Sequence, residues 1–229
     1  MIRVGIDGGC WGNRRGYGRF LREAMGALLQ KDSGIEYTIF LDSETWESFE
    51  WRDRVRAIRV RTSASVAEAA TAEGRRSIGD LLRMSAAVAR ERLDVFFFST
   101  VYSYFPLLRP VPMLLGIHDT MADRHPEFAF ASRREHRFWN WKVHLAMAQA
   151  RMVMTVSDYS RRSIMDQFGI ASSKIRVVTE AAAAHFAPVA ATLPDDPYVL
   201  YVGGLSPNKN LLRLVRAFSR LPSESRACA

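Results

Sequence analysis

The chain has little cysteine, little lysine, no long apolar run and no internal repeat. Its cysteines, Cys10 and Cys228, stand far apart, which excludes a disulfide framework and a paired-cysteine metal knuckle. No stretch is apolar for long enough to span a bilayer. The N-terminus, Met1-Ile2-Arg3-Val4-Gly5-Ile6-Asp7, lacks the basic head, apolar run and small-residue cleavage site of a signal peptide. It reads as a short strand running into a glycine loop, and a cytoplasmic location is the default expectation. Neither a zinc-finger spacing nor an aromatic RNA-binding motif occurs, so nucleic acid is the weakest partner class.

What is present is ordinary globular material: 229 residues at 48% hydrophobic are ample for a core. The net charge of +8 is carried almost entirely by arginine. It fits a solvated arginine-rich surface, or an acidic partner such as a sugar nucleotide, a lipid phosphate or an anionic membrane.

Strand and helix patterns alternate, which predicts an α/β fold with a mostly parallel sheet. Strands are expected at Ile2–Ile6, Tyr37–Leu41, Val55–Val60, Val95–Phe98, Met113–Ile117, Met152–Val156 and Ile175–Val178. Helices are expected at Gly16–Leu29, Ser65–Arg92 (broken near Gly74 or Gly79), Phe130–Ala150 and Tyr159–Phe168. Residues 181–197, with Pro188, Pro194 and Pro197, read as a linker. A further unit then opens. Tyr198–Val202 is uncharged and strand-like, Gly203 and Gly204 turn the backbone, and Ser206-Pro207 starts a helix bearing Leu211, Leu214, Val215 and Phe218 at helical spacing. Lys209 in that first turn opposes the helix dipole, and an anion bound at the helix N-terminus would explain it.

Several residues fall where doubly wound folds bind ligands, at the carboxyl ends of strands. The loop between the first strand and first helix holds Gly16-x-Gly18, flanked by Arg15 and Arg19, but lacks the third glycine of a dinucleotide fingerprint. Its plain reading is a flexible turn. His118-Asp119 follows the strand Met113–Ile117, where a histidine can donate to a sugar hydroxyl or simply cap a turn. A metal dyad would need further ligands, and His136 and His144 lie in a helical pattern downstream. Ser157 is first an adequate N-cap, and the same free N–H groups could hold an acceptor phosphate. In the helix Phe130–Ala150, Arg133, Arg137, Asn140 and His144 share one face, and Phe138, Trp141, Leu145 and Ala148 share another. That is an amphipathic helix packed on the sheet, or a membrane-surface face for anionic lipid.

Four stretches in order resemble glycosyltransferase family 4: Arg15-Gly16-Tyr17-Gly18-Arg19, Gly116-Ile117-His118-Asp119, Val156-Ser157-Asp158-Tyr159-Ser160 before Lys174-Ile175-Arg176-Val177-Val178, and Gly203-Gly204-Leu205-Ser206-Pro207-Asn208-Lys209-Asn210-Leu211. The resemblance implies a GT-B fold, two Rossmann-like domains with the active site between them. It divides the chain into an N-terminal, acceptor-side domain at 1–180, a linker at 181–197 and the opening of a donor-binding domain at 198–229, a second domain expected to be incomplete. It implies retaining transfer of a sugar from a nucleotide-sugar donor to a glycan or lipid-linked acceptor, with no required metal or other cofactor, and peripheral contact with the inner face of the plasma membrane. It places His118 against the donor sugar as catalytic residue. Gly16, Gly18, Gly203, Gly204 and Lys209 would meet the donor phosphates, and Arg15, Arg19, Asp119 and Ser157 would line the acceptor side of the cleft. Many members carry an arginine where this chain has Gly204 or Asn208, so its phosphate clamp rests on Lys209. Two function classes compete: a transferase, expected to be inactive as this chain, and an acceptor-binding half, or a non-functional fragment, that needs a separate donor-binding partner.

Overall fold

The computed structural model describes residues 1–14, 16–31, 34–51, 53–63, 77–183, 186–187 and 198–222. It divides into two compact units, residues 1–181 and 182–229. The first unit runs β1 (Ile2–Asp7), α1 (Gly16–Leu29), β2 (Ile35–Leu41), α2 (Ser43–Glu47), β3 (Arg56–Arg59), α3 (Ile78–Ala89), β4 (Val95–Phe98), β5 (Met113–Gly116), α4 (Met121–Arg124), α5 (Pro126–Ala129), α6 (Arg133–Gln149), β6 (Ala150–Thr155), α7 (Asp158–Phe168) and β7 (Ile175–Val177). The strands form one parallel seven-stranded sheet in the order β3-β2-β1-β4-β5-β6-β7.

Alternation along each strand explains why both faces of the sheet are covered. Phe96 and Phe98 enter one core cluster, while Phe97 enters the other. Phe40 likewise faces away from Ile39 and Leu41. Such runs, apolar at every position, belong to parallel strands buried on both sides. The strand order reverses between β1 and β4: the chain first builds outward from β1 to β3, then returns beside β1 and builds the other way. Doubly wound sheets bind ligands at that switch point.

Local signals set the helix bounds. Ser132 caps α6 by accepting from the Glu135 amide at 3.3 Å, and Glu135 reaches back to the Ala131 amide at 3.1 Å. Ser77 caps α3, accepting from the Asp80 amide at 3.0 Å. Of the helix expected from Ser65, residues 65–76 lie outside the described ones. The buried Asp80 ties the start of α3 to the chain beyond β3. Its carboxylate accepts from the Ser63 amide at 3.0 Å, the Ser63 hydroxyl at 2.6 Å and the Arg83 guanidinium at 2.7 Å. At the other end of the core, the Gln149 side chain pins the connection after β4. It accepts from the Tyr104 hydroxyl at 2.7 Å and the Leu107 amide at 3.0 Å, and donates to the Leu107 carbonyl at 3.1 Å.

The buried face of α6 differs from the expected one. Trp139, Val143 and Ala146 are buried, whereas Phe138 and Trp141 are 51% and 61% exposed. Trp139 wins the inward position because its indole N–H finds a partner there, Asp123 Oδ1 at 2.8 Å.

In the second unit, Tyr198–Val202 forms no strand and is exposed, Val202 at 83%. A parallel strand needs neighbours to pair with, and among the described residues it has none. The following helix is also shorter than its pattern suggests. A single 3-10 turn, Pro207–Lys209, is separated from α8 (Leu211–Ser219) by Asn210 in the left-handed conformation, φ 53°. Lys209 therefore closes a separate turn, its amide 2.9 Å from the Ser206 carbonyl, and does not sit in the first turn of α8. The dipole conflict read from the sequence does not arise in this geometry.

Candidate functional site

Three strand ends at the switch point carry the candidate residues. At the end of β1, the buried Asp7 accepts from the Gly9 amide at 3.1 Å and starts a tight double turn. Trp11 N bonds the Gly8 carbonyl at 2.9 Å and Asn13 N bonds the Cys10 carbonyl at 3.0 Å. Arg22, nearly two turns into α1, donates to the Trp11 carbonyl and to the Asn13 carbonyl at 3.2 Å. Gly18 closes this arrangement. A Cβ there would overlap the Asn13 carbonyl oxygen and lie 2.5 Å from the Cys10 carbonyl oxygen. Gly16 is different, since a Cβ there meets nothing within 4 Å. Of the two glycines singled out in the sequence, Gly18 is a packing requirement and Gly16 is open to solvent. Arg19 is exposed on α1, and Arg15 lies outside the described residues.

Beyond β5, His118 turns back over the sheet. Its side chain is 10% exposed, with Nε2 2.9 Å from the Ser99 carbonyl oxygen at the end of β4. Tyr17 and Phe20 from α1 meet the imidazole edge-on, at centroid distances of 5.2 and 4.9 Å. Tyr102, just past β4, continues the aromatic wall: its ring is 5.1 Å from Tyr17 and 4.8 Å from Trp139. The glycine loop, the end of β4 and the end of β5 thus meet at one place. Sequence reasoning found His118 and the loop. It did not single out Tyr17, Phe20 and Tyr102, whose meeting around the imidazole depends on how α1 and the end of β4 pack together.

The electrostatics of this corner are mixed. Burial, with Tyr102 and the Asp119 carboxylate adding to it, pushes the Tyr17 phenol well above the tyrosine range. Burial and Asp119 do the same to Tyr102. Both phenols therefore keep their protons at any working pH, and Tyr17 donates its own to the Tyr102 oxygen. Burial also raises the Asp123 carboxyl, a shift opposed by the bond from Trp139. Asp119 is exposed, one oxygen accepting from the Met121 amide at 2.9 Å. Glu180 Oε1 stands 3.8 Å from His118 Nδ1.

Ser157 caps α7, accepting from the Ser160 amide at 3.1 Å and donating to the Ser160 hydroxyl at 3.1 Å. That leaves its hydroxyl committed to the cap. In the second unit, Gly204 offers its carbonyl to the Tyr201 hydroxyl at 2.8 Å, while Gly203 and Lys209 are exposed. Among the described residues, no group of three or more His, Cys, Asp or Glu side chains is placed to hold a metal ion. None of the described helices is long and apolar enough to cross a membrane.

The model of glycosyltransferase family 4 matches residues 14–181. A similar curated protein, O-antigen chain mannosyltransferase B of Escherichia coli, is 29% identical over 119 residues, which cover 48% of this chain and 31% of that protein. The match therefore spans about a third of that relative's length.

Proposed function

The chain belongs to glycosyltransferase family 4, and from that membership we propose that it takes part in moving a sugar, with retention, from a nucleotide-sugar donor to a hydroxyl of a glycan or lipid-linked acceptor. The observation that carries the proposal is the meeting of His118, the Gly18 loop and the tyrosine pair at the switch point of the family-matched sheet. A transferred sugar is neutral and rich in hydroxyls. Two protonated phenols, an imidazole and the Asp119 carboxylate supply donors and acceptors for such a ring, and aromatic edges give it apolar walls. The O-antigen mannosyltransferase among the similar proteins fits a hexose and a growing glycan.

On this reading residues 1–180 serve the acceptor, and the segment after the 181–197 linker contributes to the donor. Gly203, Gly204 and Lys209 would meet the diphosphate, the leaving group whose charge must be neutralised. Lys209→Ala is expected to weaken nucleoside-diphosphate binding about tenfold, the scale of a partly exposed charge-assisted contact. Unchanged affinity by calorimetry removes Lys209 from the clamp. A second reading is supported by the second unit itself, where residues 198–222 form one helix and no strand. There the chain is an acceptor-binding half that completes its site with a separate donor-binding partner. Sugar-nucleotide turnover separates the two. Donor-dependent transfer by the purified chain, free of host enzyme, overturns the expected inactivity and favours the first, and turnover that appears only when a separate donor-binding partner is added favours the second.

A lipid-linked acceptor would bring the protein to a cytoplasmic membrane surface, and the outer face of α6 suits that contact. Phe138 and Trp141 are exposed there with rings 6.2 Å apart, beside the exposed Arg134 and Arg137. Aromatics with flanking arginines favour an anionic interface. Binding to phosphatidylserine vesicles should fall with added salt, and neutralising Arg134 and Arg137 together should weaken it about thirtyfold, at roughly 1 kcal/mol per charge. Indifference to such vesicles at low salt would leave α6 as a packing helix.

A further inference from the structure

The backbone around His118 fixes how its imidazole is presented. Nε2 of this residue lies 2.9 Å from the Ser99 carbonyl oxygen. A carbonyl only accepts, so Nε2 is the nitrogen that carries the proton. Nδ1 faces the Glu180 carboxylate at 3.8 Å, beyond hydrogen-bond reach. The ring cannot turn freely to exchange these roles, because Phe20 and Tyr17 stand against it at interplanar angles of 87° and 70°.

The Ser99 carbonyl is there because of a missing side chain. Gly116 ends β5 opposite the end of β4, and a Cβ on it would overlap the Ser99 carbonyl oxygen and lie 2.6 Å from the carbonyl carbon. The clash would be with backbone, so no rotamer change relieves it. The same glycine sits two residues before the histidine, so one position governs both strand ends.

We infer that the Ser99 carbonyl and the bare α-carbon of Gly116 are a positioning device for His118, which hold the imidazole as its Nε2–H tautomer and leave Nδ1 as an acceptor for a ligand hydroxyl. Neither group touches substrate on this account, and both act through His118. The consequence is a selectivity. A neutral imidazole presented by Nδ1 takes a hydrogen bond from an O–H or N–H, and it offers nothing to a phosphate or carboxylate oxygen. This role differs from both of those that the sequence allowed His118, a donor to a sugar hydroxyl and a turn cap. The inference rests on the glycosyl-transfer reading for the identity of that hydroxyl, but the tautomer is measured without any ligand or turnover. Failure of one is therefore distinguishable from failure of the other.

The test is long-range proton–nitrogen NMR on the full chain with nitrogen-15 histidine, at about pH 9, well above the ordinary imidazole pKa. The His118 signals are assigned by their loss in His118→Gln. The expected result is one tautomer, Nε2 protonated and Nδ1 bare, with slowed exchange of the Nε2 proton. Gly116→Ala, verified as folded by circular dichroism and a cooperative melt, should lose that pattern and give an averaged mixture. Ser99→Ala should keep it, because the acceptor is backbone. A protonated Nδ1 or an averaged mixture in the wild-type chain overturns the inference, even where Gly116→Ala does not fold. It is equally overturned by a folded Gly116→Ala with the wild-type pattern, or by loss of the pattern in a folded Ser99→Ala.

Discussion

Gly18→Ala is expected to cost the first unit more than about 3 kcal/mol or to prevent its folding, whereas Gly16→Ala should change stability by less than about 0.5 kcal/mol. The two positions are neighbours in sequence and both look like parts of one glycine loop. They differ in what surrounds them. The Gly18 α-carbon is packed under the carbonyls of Asn13 and Cys10, and those carbonyls are themselves fixed, one by the Asn13–Cys10 turn and one by Arg22. A methyl group there must displace backbone, and the turn that follows β1 has to open. Gly16, the first residue of α1, has open space around its α-carbon. Urea unfolding followed by circular dichroism on the two variants reads the difference. Equal stabilities would mean that the loop yields to the methyl group, and Gly18 would lose its role as the keystone of the turn.

Asp80→Ala should cost about 2–4 kcal/mol, from the loss of three hydrogen bonds to one buried carboxylate and of a negative charge in the first turn of α3. Arg83 contributes the smaller share, since its side chain is 56% exposed. The same group makes stability depend on acid. Desolvation works to raise its pKa, but the bonds from Ser63 and Arg83 outweigh it and hold the carboxyl below its ordinary value of 3.8. A folded-state pKa that is depressed favours the folded form wherever the carboxylate is ionised in both states. Asp80 therefore contributes its full stabilisation above the unfolded value, and the contribution is lost as pH falls through the depressed folded one. Chemical denaturation at stepped pH should show wild type losing its advantage over Asp80→Asn in that acid window. A gap between the two proteins that stays constant from neutral pH to the acid limit would remove Asp80 as the source.

The sheet was legible in the sequence because parallel strands covered on both faces carry continuous apolar runs, as at Val95–Phe98 and Ile39–Leu41, and the turns between them are marked by glycine and serine. Helix α1 was legible to the residue. The buried face of α6 was not, since Trp139 is drawn inward by Asp123, a partner that lies on a different helix. Tyr198–Val202 reads as a buried strand by composition, but pairing is a property of its neighbours and not of the run itself. Lys209 was placed inside a helix because nothing in the local pattern shows that Asn210 turns left-handed and breaks it. At the candidate site, the side chains with obvious chemistry were found and their supports were not. A backbone carbonyl such as that of Ser99 has no signature in a sequence, and Gly116 draws attention only after the carbonyl it accommodates is seen.

Helix α6 touches the candidate site from behind. Trp139 packs on Tyr102, Lys142 donates to the Tyr102 carbonyl at 3.0 Å, and Gln149 holds the chain a few residues further on, while Phe138 and Trp141 look outward from the same helix. One side of the helix thus bears on Tyr102 and another lies at the surface. Thermodynamic linkage then sets a reciprocal rule. On the membrane contact proposed above, by whatever factor a bilayer seated on Phe138 and Trp141 changes the affinity for a sugar beside Tyr102, that sugar must change the affinity for the bilayer by the same factor. Wherever that factor departs from one, a protein loaded with that sugar and a protein without it would partition differently between membrane and solution.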